Sequence, residues 1–148
     1  MNVFVILLPV LIHISICVGN WITLVFEPIM RFLFVRSRKM SFYEAESVCN
    51  INGGKLFEPR DENVMKTVYE YARKESIGEF WLGINDISFE GLFVYTSNNS
   101  RIWFNNWDEG EPNNREGGEN CVQVKRNGFW NDVSCHGDEM SFVCIKDK

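Results

Sequence analysis

The sequence predicts a single α+β domain, and three observations carry that reading. Apolar residues recur at helical spacing twice in the stretch from 41 to 78, each time after a helix-start signal and before a glycine. Beyond Gly78 the pattern changes to short apolar and aromatic runs separated by turn residues, which is how strands read. Strands and helices are therefore segregated along the chain instead of alternating, the α+β arrangement. Length agrees: 148 residues suit one domain and not comfortably two.

The chain opens with residues 2–18, NVFVILLPVLIHISICV, which are apolar, contain a proline and carry no charge. That length suits the apolar region of a signal peptide better than a membrane span. Small residues flank a cut before Asn20, although a positively charged segment is missing beyond the amino terminus; the competing reading is an anchor that stays. The expectation is a leader at 1–19, a domain at 20–148, and a secreted, extracellular product. No other stretch is long enough to cross a bilayer.

Residues 31–36, RFLFVR, are aromatic and β-branched enough for a strand. Ser41 with Glu44 then forms a capping box, in which each side chain satisfies a backbone N–H at the helix start. Phe42, Ala45, Val48 and Cys49 line one face of that helix until Gly53-Gly54 stop it. A second helix is predicted from Asp61, with Val64, Met65, Val68, Tyr69 and Ala72 on its apolar face and Gly78 as its end. Strands are predicted at 80–84, 92–95, 121–125, 129–130 and 141–145. Between Tyr95 and Cys121 lies a long polar connection rich in Asn, Gly and Glu, of a length that is uncommon without a function.

Loss of the leader removes Cys17 and leaves Cys49, Cys121, Cys135 and Cys144, an even set that reads as two disulfides in an oxidising compartment. Four cysteines allow three pairings, and spacing does not choose among them. A zinc site would want closely paired ligands, which the spacings of 72, 14 and 9 do not supply. The net charge of −5, with no basic cluster denser than Arg36-Ser37-Arg38-Lys39, argues against nucleic-acid binding.

Oxygen-bearing side chains are concentrated between 111 and 132: Glu111, Asn113, Glu119, Asn131 and Asp132. Calcium is a hard cation that takes six to eight oxygen ligands, so three carboxylates and two amides are suitable donors. If the bond before Pro112 is cis, Glu111 and Asn113 can point into one site. The bland alternative is an acidic, solvated loop.

Four motifs now add a resemblance. Trp81-Leu82-Gly83-Ile84 resembles the WIGL core motif of C-type lectin-like domains. Glu111-Pro112-Asn113 is similar to that family's sugar-reading tripeptide, Glu119-Asn120-Cys121 to its acidic residue before a cysteine, and Trp130-Asn131-Asp132 to its WND triplet, followed by Cys135. The likeness covers about residues 31–146. It implies the short form of the C-type lectin-like fold: two helices, small antiparallel sheets, a long calcium-binding loop, and disulfides Cys49–Cys144 and Cys121–Cys135. It further implies that Glu111, Asn113, Glu119, Asn131 and Asp132 bind one Ca2+ and two adjacent sugar hydroxyls. The Glu-Pro-Asn order resembles the version specific for mannose, glucose, N-acetylglucosamine and fucose, with microbial glycans and innate immunity as the setting. Some relatives hold an auxiliary calcium at positions aligning with Asp86, Glu90, Asn114, Glu119 and Asn120; two of these are Asn here, which weakens the charge.

Trp81, Trp107 and Trp130 are expected to pack and not to stack on sugar. Asn98-Asn99-Ser100 is an N-glycosylation sequon in a predicted loop. A hydrolase would need a nucleophile–base pair or an open metal site with an activated water, and neither is legible, so the chain is not expected to be an enzyme. The alternative from another class is a lectin-like scaffold that binds protein, ice or mineral, since fold alone does not fix function. With no coiled coil, collagen triplet or spare cysteine, any homo-oligomer is expected to be non-covalent.

Overall fold

The computed structural model describes residues 16–18, 21–24 and 30–146. Among the described residues nine strands form one connected sheet around a central strand near the chain's end. β1 (Ile16–Val18) pairs with β2 (Trp21–Leu24), and β2 with β3 (Met30–Met40), both antiparallel. The leader expected over 1–19 lies outside the described residues apart from Ile16–Val18.

Helix α1 (Phe42–Ile51) begins where the capping signal placed it: the Glu44 carboxylate accepts from the Ser41 N–H at 3.0 Å and from the Ser41 hydroxyl at 2.8 Å. At its end Gly53 takes a left-handed φ of 73°. Gly53 N–H then reaches the Asn50 carbonyl and Gly54 N–H the Cys49 carbonyl, a Schellman closure that satisfies the last carbonyls. After β4 (Lys55–Leu56), helix α2 (Glu62–Lys74) starts as expected, the Asp61 carboxylate accepting from Val64 N–H at 2.9 Å. It ends four residues before Gly78. Ser76 adopts a φ of 62°, Ser76 N–H donates to Arg73 O, and Ile77 N–H donates to Ala72 O. The same closure has been built on a serine because Ile77 is then drawn into the core, 2% exposed.

The remaining strands are β5 (Phe80–Asn85), β6 (Val94–Tyr95), β7 (Cys121–Val124), β8 (Trp130–Val133) and β9 (Met140–Lys146). β9 is the hub, antiparallel to β3 and β4 and parallel to β5, so the domain's first and last long strands lie side by side. β5 continues to β6 and β7, and β7 to β8. Among the described residues no helix is long and apolar enough to cross a membrane.

Strand alternation divides β5 between two cores. Phe80, Leu82 and Ile84 join Val64, Val68 and Ala72 of α2, while Trp81 joins Phe42, Ala45 and Cys49 of α1. Burying one such large side chain contributes roughly 1.5–3 kcal/mol, and Trp81 keeps its polar atom satisfied by donating from Nε1 to Met40 O at 2.9 Å. Both expected disulfides are present. Cys49–Cys144 ties α1 to β9, and Cys121–Cys135 ties the start of β7 to the residue two beyond β8.

Candidate functional site

The loop of residues 96–120 contains only one short helical turn, at Arg115–Gly117, and is held in place by β8. Trp130 N–H donates to Asn106 O at 2.8 Å, and Asp108 N–H donates to Trp130 O at 2.9 Å. Trp107 packs edge-on against the fully buried Trp130. Asp108 then fixes the next turn. Its carboxylate takes Lys125 Nζ at 2.6 Å and Asn127 Nδ2 at 3.2 Å, and its carbonyl takes Glu111 N–H at 3.0 Å. Neither Asp108 nor Lys125 was legible as part of the site, because the ion pair joins residues that are neighbours only through the β7–β8 turn.

The Glu111–Pro112 bond is cis. Asn113 Nδ2 donates to Glu111 Oε2 at 2.6 Å, so the two polar side chains of the tripeptide meet. Asp132 closes the arrangement from the sheet. It is 1% exposed, and its two oxygens accept from Asn113 N–H at 3.0 Å and Asn114 N–H at 2.7 Å. Glu119 Oε2 accepts from Arg115 N–H at 2.8 Å, and Glu119 N–H donates to Asn114 Oδ1 at 3.2 Å. Asn114 has a left-handed φ of 44°, a conformation that Asn tolerates better than most residues. Glu111, Asn113, Glu119 and Asp132 are thus brought into one hydrogen-bonded region. Asn131 lies half-buried on β8 opposite Gln123 and adds no side-chain bond to it among the described residues.

Negative charge accumulates here. Burial first, and then Asp132, push the Glu111 carboxyl above its ordinary range; Lys125 works against that rise. Asp86 is 2% exposed: its N–H donates to Asn120 O and its Oδ2 accepts from Gly91 N–H at 2.7 Å, while Oδ1 is buried with no partner among the described residues. Burial raises Asp86, with Asp132 adding to it. Glu90 is likewise raised, by desolvation, then Asp86 and Asp132. Among the described residues no three His, Cys, Asp or Glu side chains already stand as a metal cluster. A cation here would draw on amide as well as carboxylate oxygens, which is the donor chemistry calcium accepts.

The fold and this loop-borne set of oxygen side chains define a C-type lectin-like domain. The family model of the lectin C-type domain matches residues 38–146, and the chain belongs to that family. Human Collectin-10 is 35% identical over 133 residues, covering 88% of this chain and 48% of that protein. Collectin-11 of Danio rerio is 38% identical over 117 residues, covering 79% of this chain and 42% of that protein. The chain therefore spans about half the length of the curated relatives it matches. Among solved structures, the carbohydrate-recognition domain of cow CD23, determined in the presence of a GlcNAc2Man3 oligosaccharide, superposes with a TM-score of 0.77 at 25% identity, covering 91% of this chain and 98% of that one. A calcium-independent type II antifreeze protein superposes with a TM-score of 0.74 at 21% identity, covering 90% and 96%. That second likeness concerns the fold alone. The family is one of lectin domains, not of enzymes.

Proposed function

We propose that the chain is an exported, calcium-dependent lectin domain that binds mannose-type sugars. The observation that carries this reading is the meeting of Glu111 and Asn113 across Pro112 over the buried Asp132. Glu111, Asn113, Glu119, Asn131 and Asp132 would hold the ion; burial and then the neighbouring Asp132 raise Glu111, and a divalent cation would offset both. When bound, Ca2+ supplies positive charge toward which hydroxyl lone pairs turn. The protein's own part is to read those hydroxyls by hydrogen bonds. An amide NH2 only donates and an ionised carboxylate only accepts. Glu111 with Asn113 therefore serves one hydroxyl, and Glu119 with Asn131 its neighbour. Glu111 and Asn113 satisfy each other directly, so a hydroxyl inserted between them exchanges one hydrogen bond for two.

An auxiliary calcium at Asp86, Glu90, Asn114, Glu119 and Asn120 belongs to the same proposal, supported by Asp86 Oδ1, which has no partner among the described residues. The expected setting is extracellular recognition of microbial glycans, with any self-association non-covalent.

The test is chromatography on immobilised mannose. Retention with calcium and release by a chelator are expected; retention that survives the chelator rejects the mechanism. The double variant Glu111→Gln, Asn113→Asp conserves net charge and reverses donor and acceptor. It should lose mannose preference by about tenfold or more, the factor that ~1.4 kcal/mol gives. Unchanged preference would place specificity outside the tripeptide.

A further inference from the structure

The sequon Asn98-Asn99-Ser100 lies in a tight turn after β6. Tyr95 N–H donates to Ser100 O at 3.0 Å, Asn99 N–H donates to Tyr95 O at 2.9 Å, and Asn99 takes a left-handed φ of 54°. Asn98 Oδ1 accepts from Ser100 N–H at 3.0 Å, a bond that leaves Nδ2 unused. The side chain is exposed, and no described residue accepts from Nδ2. Directly beside it opens a cavity of about 300 Å³. Its lining includes the apolar Met30, Val64 and Ile145 and two charges of each sign, Lys55 and Arg60 with Glu58 and Asp61.

The chemistry of that cavity selects a neutral amphipathic occupant. Arg60 lies 2.9 Å from the buried Glu58 carboxylate, so its charge is already matched. It is clamped between aromatic rings, 4.3 Å over Tyr95 and 5.1 Å over Trp103. Trp103 is itself held by an Nε1–H bond to Arg60 O at 3.0 Å, although it is 63% exposed. Apolar side chains and paired charges thus line the same cavity. A sugar ring, with C–H faces and a rim of hydroxyls, matches such a surface better than an anion or a wholly apolar group.

We propose that Asn98 carries an N-linked glycan whose first sugar packs into this cavity, as part of the fold and apart from the calcium and sugar site. This rests on the reading that the chain is exported. In the transfer, Asn98 Nδ2 loses a proton and bonds to sugar C1. The bond from C1 to a phosphate oxygen of a lipid-linked diphosphate donor breaks, and the lipid diphosphate leaves. Ser100 Oγ is buried without a partner among the described residues, so the folded turn hides the hydroxyl that the sequon presents. Transfer therefore precedes closure of the turn, and closure then brings the sugar against Arg60 and Asp61.

The experiment expresses the full chain in glycosylating eukaryotic cells and recovers protein from the medium. Three forms are compared: the secreted glycoprotein, the same protein trimmed to one N-acetylglucosamine by an endoglycosidase, and Ser100→Ala, which removes the sequon but leaves Asn98. Mass spectrometry of the Asn98 peptide is expected to show occupancy. Melting of Ser100→Ala is expected about 2–4 °C below the one-sugar form, a shift typical of a modest contact in a domain of this size, and the one-sugar form should match the full glycoprotein. Hydrogen exchange near 60–64 and 97–99 should be slower in both glycosylated forms. A secreted chain with bare Asn98 overturns the modification while leaving export intact. Occupancy with no change in melting or exchange overturns the packing. A chain retained unmodified in the cell overturns this proposal together with export.

Discussion

Glu58 has a wholly buried carboxylate, and five groups from two directions satisfy it, Thr96 Oγ1 at 3.4 Å among them. Lys55 Nζ lies at 3.2 Å and Arg60 Nη2 at 2.9 Å, while Ser97 donates both its N–H and its hydroxyl at 2.8 Å. One residue thus fastens the start of the long loop to the segment between the helices. Glu46 on α1 is half-buried nearby. Burial pushes its carboxyl up, a hydrogen bond with Thr96 lowers it, and Glu58 raises it again. A carboxyl whose pKa is higher folded than unfolded costs stability once pH rises through that folded value, and costs nothing below the unfolded value of about 4. Glu46→Gln keeps a partner for Thr96 and removes the charge. It should stabilise the domain at neutral pH, and the gain should vanish on acidification below about pH 4. Urea melts at both pH values decide this; an equal gain at the two would show that charge is not the cause.

The elements end by backbone geometry, and that makes their ends testable. Ser76 holds a left-handed conformation that costs roughly 1 kcal/mol for a residue with a Cβ. Ser76→Gly removes that cost and loses some in chain entropy, so a net gain of about 0.5 kcal/mol is expected. A thermal melt that falls instead would mean the serine hydroxyl matters. Gly83 is the opposite case. A Cβ there would come within 2.9 Å of the Leu56 carbonyl, which belongs to backbone and cannot swing aside. Gly83 also exchanges hydrogen bonds with Phe57 and Thr96, so its strand is closely covered. Gly83→Ala should cost about 1–3 kcal/mol, and denaturation near the wild-type midpoint would argue against a close backbone approach.

At the scale of the molecule, two cross-links restrain the unfolded chain unequally. Cys49 and Cys144 are separated by 95 positions, Cys121 and Cys135 by 14. In the chain-entropy description these loops are worth about 4.7 and 3 kcal/mol. The pair Cys49→Ala, Cys144→Ala should therefore lose about 1.7 kcal/mol more than Cys121→Ala, Cys135→Ala. Denaturant midpoints at equal slope measure the difference, and the reverse order would show that native packing, not loop length, dominates. The long cross-link also anchors β9, on which β3, β4 and β5 all depend.

What the residues determine by themselves is local chemistry. Ser41 and Glu44 start one helix and Asp61 the other, since a cap needs only a side-chain oxygen within three residues of an orphan N–H. The ordered motifs at 81–84, 111–113, 119–121 and 130–132 likewise identify the family without coordinates. The tertiary structure decided everything that depends on residues far apart in the chain. Lys55–Leu56 has no strand signal of its own and becomes one because β9 lies alongside. The second helix stops at Lys74, short of the nearest glycine, and Ile77 just beyond it is buried. Asp108 with Lys125 acquires a role only when the sheet folds the pair under the loop. Local signals act through covalent neighbours, whereas a binding site is assembled by packing, and packing follows distances that the order of residues does not state.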